Sequence, residues 1–210
     1  LMKNFTYLVF DPEKREALVI DPTWEMEKID VALREHQLTL TTILVTHGHG
    51  DHTHLVKPLV EKYGCEVRMS EVEAGDFSFA CDNLQAIHGE EPFQAAQLTV
   101  RPLLTPGHTR GCICYLIGDN LFTVDTLFIE GCGMCFSGTS NPTELFNSLQ
   151  RLKHGVPPGT RIFPAHSYGF DPGQQFSFVL KYNIYMQFKD AADFTAYRMR
   201  SGQTGFFDFK

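Results

Sequence analysis

The stretch "THGHGDHTHL", residues 46–55, sets His47, His49, Asp51, His52 and His54 within eight residues. Polar surface loops are built mainly from Ser, Asn, Asp, Gly and Pro, so this density of imidazole points to a bound metal. It follows "TTILVT" directly, a β-branched run that reads as a buried strand. A chain that ends a core strand on a histidine cluster must fold so that a rigid sheet aims those side chains into a cleft. His47 and His49 are two residues apart and can chelate one ion from one side of an extended turn. Asp51 and His52 are adjacent, cannot easily serve that same ion, and suit a second one.

Three later residues occupy matching positions at strand-to-loop junctions. "TPGHTRG" presents His108, "FTVDTLF" presents Asp125 and "RIFPAHS" presents His166. Each alone would read as a structural residue; together with the first cluster they give five His and two Asp. Nitrogen and carboxylate donors of this kind suit zinc, with iron and manganese as alternatives. Seven ligands serve two ions that share a carboxylate and a hydroxide, and a pair about 3.5–4 Å apart is a hydrolytic arrangement.

Bulk properties narrow the class. A chain of 210 residues suits one domain with a small appendage. The net charge of −7 disfavours a general nucleic-acid binder. No signal peptide and no membrane-spanning apolar run are read, so a cytoplasmic protein without membrane association is expected. The chain opens inside a strand-like pattern, and a true start a few residues upstream is expected. Six cysteines in a chain this long do not make a disulfide scaffold. Cys112, Cys114, Cys132 and Cys135 could be read as a four-thiolate zinc site, but alternate residues of a strand-like run read more simply as packing.

Along the chain, "FTYLVFD" and "EALVIDP" read as strands and "EMEKIDVALREHQ" as an amphipathic helix. "THLVKPLVEKYG" reads as a helix ended by Gly64, and Pro58 requires that it start late or kink. "CEVRMS" is a short strand, and the pattern from Ala74 to Gln97 is weak. "LTVRPLLTPGH" and "CICYLIGDNLFTVDTLF" return to strands, with a turn at Gly118-Asp119-Asn120. "NPTELFNSLQRL" carries a helix-start signature at Asn141-Pro142, and "TRIFPAH" is a final core strand. Two amphipathic helices follow, "QQFSFVLKYNIYMQFK" and "AADFTAYRMR". Alternation of strands and helices implies an α/β protein with helices outside its sheets.

These motifs, in this order, resemble the metallo-β-lactamase superfamily and within it the glyoxalase II-like hydrolases. T-H-x-H-x-D-H stands here as Thr46 to His52, T-P-G-H-T as Thr105 to Thr109, and G-D-T-L-F as Val124 to Phe128. G-C-G is Gly131-Cys132-Gly133, and P-G-H is Pro164-Ala165-His166. The resemblance covers about residues 4 to 170. It implies an αββα four-layer sandwich, with a hydrolase domain over residues 1–172 and a C-terminal helical extension over 173–210 packed on it. It assigns His47, His49 and His108 to one metal, Asp51, His52 and His166 to the other, and Asp125 to the bridge.

The departures bear on substrate. In glyoxalase II the residue after G-C-G is basic and helps hold glutathione; here it is Met134. Gly gives way to Val124 and to Ala165, and the family's glutathione-binding helical domain is longer than the 44 residues (210 − 166) after His166. Small glyoxalase II-like proteins of polyketide clusters act as acyl thioester hydrolases, and "IEGCGMCFSGTSNPTELF" looks more like those. Met134, Phe136, Tyr168 and Phe170 are expected to line the substrate site as an apolar, aromatic rim. Lys181 and Tyr182 read as exposed helix positions.

The resemblance thus implies a binuclear zinc hydrolase cleaving an acyl thioester, small-molecule or carrier-protein-bound, with a pantetheine-type thiol. A metal-bridging hydroxide would attack, and Asp51 would ligate and orient it. Hydroxyacylglutathione hydrolase (glyoxalase II) is the main alternative. A β-lactamase-like side activity and a mononuclear iron persulfide dioxygenase on His47, His108 and Asp125 are the others. Superfamily nucleases add an RNA-gripping domain, flavodiiron proteins have Glu in place of His49, and a purely structural metal module would not need open coordination positions.

Overall fold

The computed structural model describes residues 4–136 and 138–202. The chain divides into two compact units, residues 1–102 and 103–210.

The first unit is a five-stranded sheet in the order β1-β2-β3-β4-β5. β1 (Tyr7–Phe10) is antiparallel to β2 (Glu16–Ile20). β3 (Thr39–Leu44), β4 (Glu66–Ser70) and β5 (Leu84–Ile87) then run parallel to β2. Parallel pairing requires crossovers, supplied here by helices. α1 (Met26–Glu35) links β2 to β3 and buries Ile29 and Leu33 at helical spacing. α2 (Gly50–Thr53) and α3 (Val56–Tyr63) link β3 to β4. The expected helix starts late, at Val56, so that Pro58 falls in the first turn of α3, where its missing N–H costs nothing. Gly64 ends α3 at φ 66, the left-handed cap conformation that suits glycine. α4 (Glu71–Asp76) follows β4 at once and runs into the region, from Ala74 on, where the sequence pattern is weak.

The core of this unit joins Ile43, Val45, Leu59, Val67 and Met69. Each fully buried aliphatic side chain contributes about 1.5–3 kcal/mol. Because β3 is paired on both sides, the loop that starts at Val45 leaves a fixed end.

The second sheet has the order β11-β10-β9-β8-β7-β6. Its strands are β6 (Phe93–Ala95), β7 (Leu98–Leu104), β8 (Ile113–Ile117), β9 (Asn120–Val124), β10 (Arg161–Pro164) and β11 (Gln174–Gln175). β8 and β9 form a hairpin whose turn is Gly118-Asp119, and Gly118 takes φ 57. α5 (Pro142–Gly155) is capped by the Asn141 side chain, which accepts from the Thr143 and Glu144 N–H groups. It crosses back so that β10 lies parallel to β9.

The C-terminal segment departs from the expected pair of helices. It opens with β11, continues as α6 (Phe176–Tyr182), breaks at Asn183, makes a short 3-10 turn at Ile184–Met186, and ends in α7 (Ala191–Arg198). The break has a physical cause. Asn183 is fully buried; its amide donates to the Phe128 carbonyl at 3.0 Å and the Gly131 carbonyl at 2.8 Å, and its oxygen accepts from Tyr185 N–H. The flanking Phe176, Val179, Tyr185, Met186 and Phe194 share a core with Leu145, Leu149 and Ile162. Residues 203–210, the end of the expected extension, lie outside the described residues.

Asn183→Ala should therefore remove three buried side-chain hydrogen bonds to backbone groups and destabilise the protein by about 3 kcal/mol. Urea unfolding, with the midpoint lowered and the slope unchanged, checks this.

Candidate metal centre

In the first unit, His47 and His49 lie in the loop after β3, and Asp51 and His52 on the short α2 that follows it. The His47 ring centroid is 4.7 Å from that of His49 and 4.0 Å from that of His52. Asp21, His47 and His52 offer donor atoms that lie within 4.8 Å of one another. Asp21, at the end of β2, organises the group. Its Oδ1 accepts from Thr46 N–H at 2.8 Å; its Oδ2 accepts from Thr46 Oγ1 at 2.6 Å and from His52 Nδ1 at 2.9 Å.

The tautomers follow. A carboxylate only accepts, so His52 carries its proton on Nδ1. The Thr46 hydroxyl proton is committed to Asp21, so the Thr46 oxygen accepts from Nδ1 of His47 at 3.0 Å. Both rings thereby present a basic Nε2, the form a metal ligand needs. Asp51 is held by Asn4, whose amide donates to its Oδ2 at 2.8 Å and to its backbone carbonyl at 3.1 Å. Burial alone would raise the Asp51 carboxyl. A protonated His52 beside it, by hydrogen bond and charge, and the Asn4 amide lower it below the usual carboxylate range; with His52 in its neutral Nδ1–H form, Asn4 does so. The Trp24 indole bonds Asn4 in turn and packs at a tilt on His54, ring centroids 5.1 Å apart, which gives His54 a packing role.

In the second unit, Asp125 stands between His108 and His166. Its Oδ2 lies 3.5 Å from His108 Nε2 and its Oδ1 3.5 Å from His166 Nε2. Each carboxylate oxygen thus faces a different imidazole, and 3.5 Å is longer than a good hydrogen bond between charged partners. His108 Nδ1 donates to the Met134 carbonyl at 2.7 Å, so this ring also presents Nε2. Gly133 makes that approach possible: a Cβ there would lie 1.9 Å from the Asp125 carbonyl and 3.0 Å from His108 Nδ1. Val124, where the family pattern has Gly, keeps a positive φ of 41, a strained conformation for a β-branched residue beside Asp125.

The residues expected at a substrate rim are placed as follows. Met134 is half-buried and acts through its carbonyl; Phe136 is 72% exposed. Tyr168 packs on Phe128 at 5.4 Å and lies 6.3 Å from the His166 ring. Phe170 is exposed and meets Phe178 edge-on at 5.2 Å. Lys181 lies over the exposed Tyr182 ring.

The sequence pattern missed Asp21, Asn4 and the Met134 carbonyl. Asp21 is 31 residues from His52, and no spacing rule links a strand-end carboxylate to that imidazole. The donor set fits divalent zinc: neutral imidazoles with fixed tautomers, and carboxylates that are ionised.

The family model of the metallo-beta-lactamase superfamily matches residues 2–166. The chain belongs to that superfamily. It is 42% identical over 210 residues to the "Probable polyketide biosynthesis zinc-dependent hydrolase BaeB" of Bacillus velezensis, covering 100% of this chain and 93% of that one. It is 37% identical over 176 residues to a hydroxyacylglutathione hydrolase of Synechococcus, covering 80% of this chain and 66% of that one. Among solved structures, ETHE1 from Myxococcus xanthus matches with a TM-score of 0.81 and 31% identity, over 91% of this chain and 83% of that one. The fold is accordingly the superfamily's α/β sandwich.

No cysteine belongs to a group of donors close enough to hold an ion, among the described residues. Cys135 is buried, with its thiol 3.6 Å from the Gly107 carbonyl, and not at a cleft mouth as its place after Met134 suggests. Burial pushes the Cys114 thiol up from 9.0 to about 11 and the Cys132 thiol to about 12. These groups keep their protons in the folded state after an unfolded chain has lost them. Their contribution to stability is complete below pH 9 and is lost as pH rises toward 11 to 12. Urea unfolding at pH 8 and pH 10 should show the decline, and Cys132→Ala should reduce it. Replacing any of the six cysteines should leave metal content unchanged.

Proposed function

We propose that this protein is a zinc-dependent hydrolase of polyketide biosynthesis that cleaves an acyl thioester at a two-ion centre. His47, His49 and His108 would hold one ion, and Asp51, His52 and His166 the other, with Asp125 shared. The observation that carries this is Asp125 with one oxygen toward each of two imidazoles. The whole-chain similarity to a protein named as a zinc-dependent hydrolase supports it. Two zinc ions, when bound, supply an acidified water, pKa lowered from 15.7 to about 7, and an electrophile for the acyl oxygen.

The chain's own residues do the rest. Asp21, Thr46 and the Met134 carbonyl keep the imidazoles in the ligating tautomer. Asn4 keeps Asp51 oriented and favours its ionised form, able to ligate and to orient the attacking water. A thiolate is a good leaving group, so no strong general acid is needed.

Met134 offers no charge where a glutathione carboxylate would need one, and an unpartnered buried carboxylate is costly. With Phe136, Tyr168 and Phe170 it would form an apolar rim suited to a pantetheine arm, free or on a carrier protein, rather than to glutathione. The second reading, a hydroxyacylglutathione hydrolase, is favoured by the similarity to the Synechococcus enzyme. Neither reading involves nucleic acid or a membrane, and among the described residues no helix is long and apolar enough to cross one.

Two measurements test the proposal. Purified protein should contain two zinc ions per chain, and Asp125→Ala should lower both occupancy and rate, the rate by orders of magnitude. Full activity with one tightly bound ion would refute the two-ion centre. In kcat/KM at matched metal loading, acyl-pantetheine thioesters should exceed S-lactoylglutathione, and Met134→Arg should raise activity on the latter. Lactoylglutathione at or above the pantetheine thioesters would make the protein a glyoxalase II.

A further inference from the structure

We infer that α4, through Glu73, is the positioning element for the ion proposed on His47 and His49; this rests on the two-ion reading above. Glu73 is fully buried, and a carboxylate is removed from water at a cost of several kcal/mol unless its bonds are made inside. It accepts from the Gly48 N–H at 2.8 Å. Gly48 is the single residue between two proposed ligands, so fixing its peptide fixes the relative aim of His47 and His49. The bond joins an N–H to a carboxylate, among the stronger kinds available.

A second contact from the same short segment closes the other side. Phe77, immediately after α4, covers Gly48 so closely that a Cβ there would lie 2.3 Å from its ring. The same ring meets His49 edge-on at 5.2 Å. One helix turn thus grips the loop by a hydrogen bond and a ring. No bond from Asp21 to His49 accompanies those it makes to Thr46 and His52. Glu73 would do for the aim of His47 and His49 what Asp21 does for the tautomers of His47 and His52, by orienting ligands without touching metal or substrate.

The test compares the full-length wild type with Glu73→Gln, Glu73→Met and Phe77→Leu. The readouts are zinc stoichiometry, zinc affinity by chelator competition, and the absorption spectrum after cobalt substitution. Gln keeps an accepting oxygen and should retain both ions within about threefold of wild-type affinity, whereas Met fills the same space without an acceptor and should weaken one ion by about ten- to a hundredfold. The cobalt spectrum should change for that ion alone. Met binding both ions as tightly as wild type, or Gln losing as much as Met, would overturn the inference. Should the Met protein not fold, Phe77→Leu decides: the same single ion should weaken, and unchanged affinity would overturn the inference. Wild type that takes up no metal would overturn the two-ion reading and this inference together, whereas two ions in wild type with an indifferent Met variant would overturn this inference alone.

Discussion

The buried carboxylate of Asp21 receives three hydrogen bonds, from the Thr46 N–H, the Thr46 hydroxyl and His52 Nδ1, and most of what the first unit does follows from them. Burying a charge is unfavourable by several kcal/mol unless its lone pairs are filled, so this joint is made completely or not at all. The sheet makes it possible. β2 and β3 are parallel neighbours with Ile20 opposite Leu44, and Asp21 N–H donates to the Leu44 carbonyl. Asp21 and the start of the histidine loop therefore leave the sheet side by side. One carboxylate then fixes the loop's entry, the tautomer of His52 directly and that of His47 through Thr46. Its charge also adds to burial in raising the phenol of Tyr7, on the neighbouring β1.

The second unit solves the same problem with backbone rather than with charge. His108 is oriented by a carbonyl, that of Met134, and the close approach depends on Gly133 having no side chain. The Phe128–Gly131 turn that leads into Gly133 is tied down by the Asn183 amide from the C-terminal segment. That segment thus contributes to the ordering of the loop after Asp125, beyond covering apolar surface. Val124 at positive φ shows how firmly the strand end is held, since a β-branched residue adopts that conformation only when its surroundings impose it.

The legible part of the candidate site was the part written in short spacing. His47, His49, Asp51 and His52 fall in one loop, and His108, Asp125 and His166 each follow a strand with turn residues nearby. Helix ends were legible for the same reason: Gly64 and Asn141 act on their own local backbone. The single C-terminal helix read from "QQFSFVLKYNIYMQFK" failed at Asn183, where long-range hydrogen bonds outcompete helical ones. α4 was hidden because six residues give too little periodicity to detect.

By itself, the sequence determined which atoms were available to a metal, in what order along the chain, and that they stood at strand ends. The strand and helix preferences that put them there are local, carried by neighbours within a few residues. Only the tertiary structure decided how those atoms are prepared. The Nδ1 partners of His52 and His108, the amide that holds Asp51, and the Glu73 carboxylate on Gly48 come from 31, 26, 47 and 25 residues away. A proton's place on an imidazole is set by whichever acceptor the folded chain brings to it, and no spacing in the sequence encodes that contact.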